Sequence, residues 1–192
     1  ENEIAQSEGC SGKCFAKYWM HSEHLIVDGK KMSKSLNNFY TLRNLLDKGF
    51  SGVEVRYMLL QTHYRTQLNF TLEGLKACRS SLERLQAFVL RLKEHDSGKE
   101  YSVKELLENT EKTFSEALAD DLNISVALAA LFDLVRKVNA LLDEGKLSSA
   151  NCQEIFTWLK QANEVLDIID EEVKVVEIPQ EFLEMLSQRQ DA

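Results

Sequence analysis

A short run of lysine and serine residues carries the chemistry that is easiest to recognise in this sequence. Lys31-Met32-Ser33-Lys34-Ser35 places two ammonium groups and two hydroxyls in five residues without an acid, and Lys30 stands directly before it. Lysine only donates hydrogen bonds and serine can donate, so the run is a dense array of donors for a polyanion. A pyrophosphate leaving a nucleotide is such a group, because negative charge builds on it as the bond breaks. Taken alone, such a run is more often an exposed basic turn without a ligand.

The residues around this run favour the phosphate-binding interpretation. The stretch 17–41, KYWMHSEHLIVDGKKMSKSLNNFYT, resembles the second signature region of class I aminoacyl-tRNA synthetases, in the form used by cysteinyl-tRNA synthetases. Residues 2–7 resemble the segment after the paired histidines of that family's zinc-bearing catalytic domain. Residues 56–65 resemble the helix and turn beyond the signature loop, and residues 120–132 the helical domain that follows. The resemblance runs from residue 1 to about residue 170, and four separated matches in the right order argue against chance.

The resemblance implies a role for each residue of the run. Lys34 is expected to contact the ATP phosphates during amino acid activation and to stabilise the developing charge, with Lys31 assisting. Ser33 and Ser35 would add hydrogen bonds, and Met32 would anchor the loop by packing. All five are therefore candidate ATP-binding residues, and the two lysines are the candidate catalytic residues.

The sequence departs from the family pattern at two positions near the run. Asn37 and Glu23 both stand where the family usually has glycine. Asparagine tolerates left-handed backbone angles better than most residues, so we expect the turn at Asn37 to survive. Trp19 and His21 resemble family positions near the base of the catalytic pocket, but a structural aromatic pair explains them equally well.

Four residues near the start form a series that invites a zinc assignment. Cys10, Cys14, His21 and His24 give Cys-x3-Cys-x6-His-x2-His, and zinc favours such ligands in fours. The interval between the pairs is shorter than the usual finger loop, so we interpret them as unrelated thiols and imidazoles. The resembled family takes zinc from two cysteines, a histidine and a glutamate, of which only Glu3 falls on a position present here. We therefore expect Zn2+ in the parent enzyme and not in this chain.

The resemblance also implies partners, namely tRNA(Cys), cysteine, and ATP with Mg2+. In the family, the region of residues 56–65 lies near the inner corner of the L-shaped tRNA. Arg56 and Arg65 are the candidates for phosphate contacts there. Salt bridges to Asp47 or Glu54 are the alternative for these two arginines.

Charge is distributed unevenly along the chain. The net charge of −8 alone argues against a nucleic-acid partner. Residues 13–76, however, carry ten Lys or Arg and five Asp or Glu, whereas residues 77–192 carry thirteen and twenty-three. The basic balance therefore lies in the segment that holds the candidate phosphate-binding run.

Composition indicates a globular protein without a membrane segment. Hydrophobic residues make up 44% and charged residues 28% of the chain. There is no stretch of about 18 apolar residues and no basic segment followed by an apolar core at the start. We predict no membrane partner and a cytoplasmic location, in which the four cysteines are reduced thiols.

The elements that must position these residues are predicted to be mostly helices. The chain has only one proline and eight glycines, and this small number favours long uninterrupted helices. Leu25-Ile26-Val27 predicts a strand, and Asp28-Gly29 a turn into the lysine–serine run. Predicted N-caps are Thr41, Ser51, Thr71 and Ser149, and Asp120 and Asp121 are interpreted as caps of an apolar helix. Helices are predicted over about 41–49, from 51, over 71–95, 102–118 and 124–143, and after residues 149 and 179.

The predicted fold class is mainly α. It comprises the end of an α/β Rossmann-type catalytic domain, followed by stem-contact helices and an antiparallel helical bundle. We predict a catalytic part with the lysine–serine loop and the stem-contact region over 1–78, and a helical, anticodon-binding (DALR-like) domain over 79–192. Gly98 and its polar neighbours mark a further break in pattern near 95–101.

The function implied by the resemblance is that of a cysteine–tRNA ligase, of which this chain would be a fragment. The parent enzyme would activate cysteine with ATP and transfer it to tRNA(Cys), and the isolated chain is expected to be inactive. A stand-alone tRNA-binding helical module without catalytic activity is the main alternative. A purely structural bundle is the third hypothesis.

Overall fold

The computed structural model describes residues 1–99 and 101–170, and within them it is mainly helical with a small sheet. The predicted mainly helical class is confirmed, whereas the helix predicted after Pro179 lies outside the described residues. The elements are α1 (Asn2–Ser11), β1 (Ile26–Val27), β2 (Lys30–Lys31), α2 (Leu42–Asp47), α3 (Gly52–Leu60), β3 (Asn69–Phe70), α4 (Leu72–Glu94), α5 (Lys104–Ala119), α6 (Ile124–Asp143) and α7 (Ser149–Leu166).

The sheet has the order β2-β1-β3. β1 pairs antiparallel with β2 and parallel with β3, so the hairpin that leads into the lysine–serine run is held from its other side by a strand forty residues later. Asp28 and Gly29 between β1 and β2 have φ angles of 50° and 71°, the left-handed pair that a two-residue hairpin turn requires. The predicted strand and turn are confirmed.

Side-chain caps begin the helices that follow. Thr41, Ser51 and Thr71 each accept a hydrogen bond from the backbone N–H three residues later, as predicted. The prediction for Ser149 is wrong by one residue, because Ser148 has the extended backbone and caps α7, and Ser149 is its first helical residue. These caps fix where each helix starts relative to the sheet.

The prediction that Asp120 and Asp121 cap α6 is wrong. Asn123 is the N-cap, and its side chain accepts from the Val126 N–H. Asp121 and Leu122 have φ angles of 53° and 57°, and this left-handed turn carries the chain from α5 to α6 before the cap is reached. Residues 120–123 are hereafter called the α5–α6 corner.

Helix α4 joins the parts of the core. It contacts α3, α7 and α6, and α5 contacts α6. The buried side chains of α4 are Leu75, Cys78, Leu85, Phe88, Val89 and Leu92. α4 is continuous through position 78, so the division into domains at 78/79 stays a prediction. In the described part of the chain, no helix is both long and apolar enough to cross a membrane.

Candidate functional site

Residues 31–38, hereafter the signature loop, extend from the β1–β2 hairpin. The hairpin turn is tied to β3 because the Gly29 N–H donates to Asn69 Oδ1 at 2.9 Å. The Asp28 N–H donates to the Phe70 carbonyl at 3.1 Å, and Val27 beneath the turn is fully buried. The loop therefore starts from a base that is fixed on both sides of β1.

A single side-chain amide bridges the signature loop. Asn38 Oδ1 accepts a hydrogen bond from the Ser33 N–H at 2.8 Å, and Asn38 Nδ2 donates to the Lys31 carbonyl at 3.1 Å. Both partners flank Met32, which is half-buried and packs against the hydrophobic core. One end of the loop is thereby fixed to the other immediately before Lys34.

The tip of the loop is a turn built from its own groups. The Asn37 N–H donates to the Lys34 carbonyl at 3.1 Å, and Asn37 has a φ of 51°, the left-handed backbone expected where the family has glycine. The Leu36 N–H donates to Ser33 Oγ at 3.2 Å, and the Ser33 and Ser35 hydroxyls lie 3.2 Å apart. In this conformation, the two serines form hydrogen bonds within the loop.

Three lysines lie in the signature loop or directly before it. Lys30, Lys31 and Lys34 are exposed, and none of them forms an ion pair within the part of the chain that the structure describes. The ammonium of Lys34 lies 5.9 Å from the ring centroid of Phe39, at the outer limit of a cation–π contact. A polyanion can thus meet these ammonium groups without first breaking a salt bridge.

A second cluster forms where three consecutive residues after α3 bind one aspartate of the α5–α6 corner. His63 Nε2 lies 2.8 Å from the Asp121 carbonyl, and the Tyr64 hydroxyl donates to Asp121 Oδ1 at 2.6 Å. Arg65 Nε donates to Asp121 Oδ2 at 2.7 Å. Because His63 Nδ1 accepts from the Arg65 N–H, Nε2 carries the ring proton and donates it to the carbonyl. We call these four residues the Asp121 clasp.

The clasp shifts the ionisation of its members. Hydrogen bonds from Tyr64 and Arg65 hold the pKa of the Asp121 carboxyl below its usual value, since they stabilise the charged form. The same bond to Asp121 raises the pKa of the Tyr64 hydroxyl. An ionised aspartate and a neutral tyrosine are therefore the resting states.

The side chain of Arg56, a residue of α3, binds the C-terminal end of α7. Its Nε donates to the Leu166 carbonyl at 2.6 Å, and an Nη donates to the Val165 carbonyl at 3.4 Å. Carbonyls in the last turn of a helix lack partners within the helix and attract cations. The alternative of salt bridges to Asp47 or Glu54 is therefore wrong for Arg56, and also for Arg65, whose partner is Asp121.

Glu54 instead pairs with Arg79. Arg79 Nε lies 2.5 Å from Glu54 Oε1, and the Ser51 N–H donates to Glu54 Oε2 at 2.9 Å. Burial opposes ionisation of Glu54, but the bonds from Arg79 and Ser51 outweigh it and lower the pKa of the carboxyl. Arg79 also donates to the Gly49 carbonyl at 2.6 Å, so the pair ties α4 to the chain that precedes α3.

No zinc site can be assembled from the residues that the structure describes. Glu3 is exposed in the first turn of α1, and Cys10 and Cys14 are exposed thiols. In residues 1–99 and 101–170, no three His, Cys, Asp or Glu side chains are grouped so that they could hold a metal ion. Trp19 and His21 stack with an interplanar angle of 8°, which is the structural aromatic pair considered as an alternative.

An apolar cleft of about 420 Å3 lies beside the Asp121 clasp. Its lining includes Met20, Leu25, His63, Tyr64 and Leu122 and no residue of the signature loop. The lysines therefore stand on an open surface and not in this cleft.

Known proteins with similar sequences are synthetases. Residues 1–80 match the family model described as tRNA synthetases class I (C) catalytic domain, and residues 113–186 match the DALR domain. The whole chain is 52% identical to the cysteine–tRNA ligase of Chlamydia felis and 50% identical to that of Protochlamydia amoebophila. The chain is thus similar to cysteine–tRNA ligases over its full length. It covers 41% and 40% of those two relatives, so it spans about two fifths of the curated relatives it matches.

A solved structure supports the fold independently of close sequence similarity. The LeuRS in a ternary complex with tRNA and LeuAMS from Agrobacterium radiobacter K84 superposes with a TM-score of 0.58 at 18% identity. The match covers 83% of this chain and 23% of that one. The arrangement of elements is thus one that a synthetase with little sequence similarity also has.

Sequence reasoning missed the roles of three residues that position the two clusters. Asn38 directly follows Asn37 in the signature region, so its place in the motif was a usable local signal. Asn69 and Asp121 offered none, because they lie far along the chain from Gly29 and Arg65, with which they bond. These pairs come together only when the chain folds.

Proposed function

We propose that the protein carrying this chain is a cysteine–tRNA ligase of the cytoplasm. It joins cysteine to ATP, giving cysteinyl-adenylate and pyrophosphate, and then passes the cysteinyl group to tRNA(Cys). The observation that carries the proposal is the signature loop, in which exposed lysines are presented from a fixed base. The identity of about 50% to curated cysteine–tRNA ligases over the full chain supports cysteine as the amino acid.

The proposal includes a division of the chain into two domains, which the two family-model matches support. Residues 1–78 form the end of a Rossmann-type catalytic domain with the signature loop and the stem-contact region. Residues 79–192 belong to the anticodon-binding domain in this proposal, which the DALR match over 113–186 supports. The Asp121 clasp and the Glu54–Arg79 pair connect the two parts.

Lys34 and Lys31 act in the first step. A cysteine carboxylate oxygen attacks the α-phosphorus of ATP, the bond from that phosphorus to the bridging oxygen breaks, and the electron pair leaves on pyrophosphate. Exposed ammonium groups stabilise this developing charge without forming a covalent bond, and the Mg2+ that accompanies ATP shares the task. Ser33 and Ser35 can turn their hydroxyl protons to the phosphates, while Met32 keeps the loop seated on the core.

Arg56 and Arg65 contact the tRNA backbone in this proposal. Both are exposed although part of each guanidinium binds protein oxygens, and the Arg65 side chain is 65% accessible. Guanidinium groups that are held in place and still exposed suit phosphate contacts, which position the nucleic acid without reading its sequence.

Cysteine-dependent exchange between ATP and pyrophosphate in the full-length protein tests the proposal. Lys34→Ala should lower the exchange rate by about 10²- to 10³-fold, as expected when a group that stabilises transition-state charge is removed. Lys76→Ala is the matched control, because Lys76 is an exposed lysine of α4 outside the signature loop. Unchanged exchange in Lys34→Ala, or no exchange in the full-length protein, would refute the function. The isolated 192-residue chain is expected to give no exchange, and turnover by it would contradict the prediction that it is inactive alone.

A further inference from the structure

We propose that Asn38 is a positioning residue for amino acid activation, whose side-chain amide holds the signature loop in the shape that presents Lys31 and Lys34 to the nucleotide. This inference rests on the proposed function, since it assigns Asn38 to the adenylation step. In this proposal, Asn38 contacts neither the cysteine carboxylate nor the phosphates of ATP. It acts through the backbone of Lys31 and Ser33, to which its side chain is hydrogen-bonded.

The geometry of the amide is the first support. One Asn38 side chain accepts from the Ser33 N–H at 2.8 Å and donates to the Lys31 carbonyl at 3.1 Å. These two backbone groups lie on either side of Met32, so the amide fixes the chain at the exit of β2 and again one residue before Lys34. A primary amide is the side-chain group that offers an acceptor and a donor on adjacent atoms without charge.

The second support is that the hydrogen bonds of the turn and those that join the two ends of the loop come from different residues. The other hydrogen bonds given above for the loop lie inside the turn 33–37. They run from the Asn37 N–H to the Lys34 carbonyl, from the Leu36 N–H to Ser33 Oγ, and between the Ser33 and Ser35 hydroxyls. Among the described residues, the Asn38 amide alone joins the two ends of the loop through a side chain. Without it the turn keeps its internal bonds, but its orientation relative to the β1–β2 hairpin is no longer fixed.

Loss of the Asn38 bridge should affect one step of the reaction, the formation of the adenylate. Charge appears on pyrophosphate only as the adenylate forms, and a displacement of about 1 Å in a group that stabilises it lowers the rate strongly. Transfer of the cysteinyl group to tRNA takes place after pyrophosphate has formed. Loss of the Asn38 bridge should therefore slow activation and leave transfer unchanged.

Two variants of the full-length protein, Asn38→Ala and Asn38→Asp, test this separation. Alanine removes both hydrogen bonds, whereas aspartate keeps an acceptor for the Ser33 N–H but turns an oxygen toward the Lys31 carbonyl. We expect each to lower kcat for cysteine-dependent ATP–pyrophosphate exchange by about tenfold or more, with a smaller change in the KM for ATP. Single-turnover transfer from preformed cysteinyl-adenylate to tRNA(Cys) should stay within about twofold of the unchanged protein.

Leu36→Ala is the control, because Leu36 is an exposed side chain of the same loop and its bond to Ser33 uses the backbone N–H. Its exchange rate should match that of the unchanged protein. Full exchange by either Asn38 variant overturns the inference, and so does an equal loss in both steps, which a general folding defect would produce. Lys34→Ala separates the two proposals. If Lys34→Ala exchanges at the full rate, the proposed function fails. If Lys34→Ala loses exchange while Asn38→Ala keeps the full rate, only the role of Asn38 is rejected.

Discussion

Arg65 and Asp121 form a side-chain pair, with Nε 2.7 Å from Oδ2 and an Nη 3.3 Å from Oδ1. Arg65 follows α3, and Asp121 lies in the α5–α6 corner, so the pair connects the segment after the signature region with the helical part of the chain. Asp121 adopts a left-handed backbone there, which directs its carboxylate at Arg65 and Tyr64. The arginine expected to meet tRNA is thus held in place by the protein itself.

The first prediction concerns how this pair affects tRNA binding. Arg65→Ala in the full-length protein should weaken tRNA(Cys) binding and lower the slope of log K against log salt concentration by about one, the loss of roughly one phosphate contact. Asp121→Asn should not weaken binding, because it removes a negative charge and leaves the guanidinium available. Titrations at several salt concentrations measure both. Lys104→Ala, which removes an exposed cation of α5, is the control, and an unchanged slope for Arg65→Ala contradicts the contact.

The second prediction concerns acid stability. The pKa of Asp121 is lower in the folded protein than the ordinary value of about 3.9, so the stability contributed by the clasp is fully present above that value. It is lost as pH falls through the folded-state pKa. The melting temperature of the full-length protein should therefore exceed that of Asp121→Asn at pH 7, and the difference should shrink as pH falls below about 4. A difference that stays constant down to pH 2 argues against an ionic clasp.

The third prediction concerns the Glu54–Arg79 pair. Glu54 is buried, and its carboxylate serves the N-cap of α3 and Arg79 together. Glu54→Ala should lower the free energy of unfolding by roughly 1–3 kcal/mol, because the capping bond and the charged hydrogen bonds to Arg79 are lost. Arg79 would keep its contacts with the Gly49 carbonyl and the Phe50 ring. Chemical denaturation measures this change. Glu73→Ala, an exposed acid in the first turn of α4, should have little effect, and equal losses in the two variants would contradict the importance of the pair.

Local sequence signals predicted the elements well, because each is governed by neighbouring residues. Thr41, Ser51 and Thr71 cap helices since a side-chain oxygen reaches the N–H three residues later, whatever the rest of the fold does. The apolar spacing of α6 gave the bounds Ile124–Asp143 correctly for the same reason. The signature loop was recognised from its residue order in the chain.

Contacts between distant residues could not be predicted in this way. Arg56 and Arg65 had nearby acids in the sequence, Asp47 and Glu54, yet they bind the end of α7 and the α5–α6 corner. Aspartate is a common N-cap residue, but Asp121 and Leu122 adopt left-handed backbone angles, so α6 begins later and Asn123 is its N-cap. Which charge meets which is decided by helix packing, and the packing depends on the whole core.

The fourth prediction concerns the turn of the signature loop. Asn37 has a φ of 51°, a conformation that glycine adopts freely, that asparagine tolerates, and that costs β-branched residues most. Asn37→Gly should therefore keep ATP–pyrophosphate exchange in the full-length protein within about threefold, whereas Asn37→Val should lower it by about tenfold or more, since roughly 1–2 kcal/mol of backbone strain would distort the turn. Val53→Ala, at an exposed position in α3, serves as the control. If Asn37→Val is as active as Asn37→Gly, the left-handed turn is not required for activation, and Lys34 reaches the phosphates from another loop conformation.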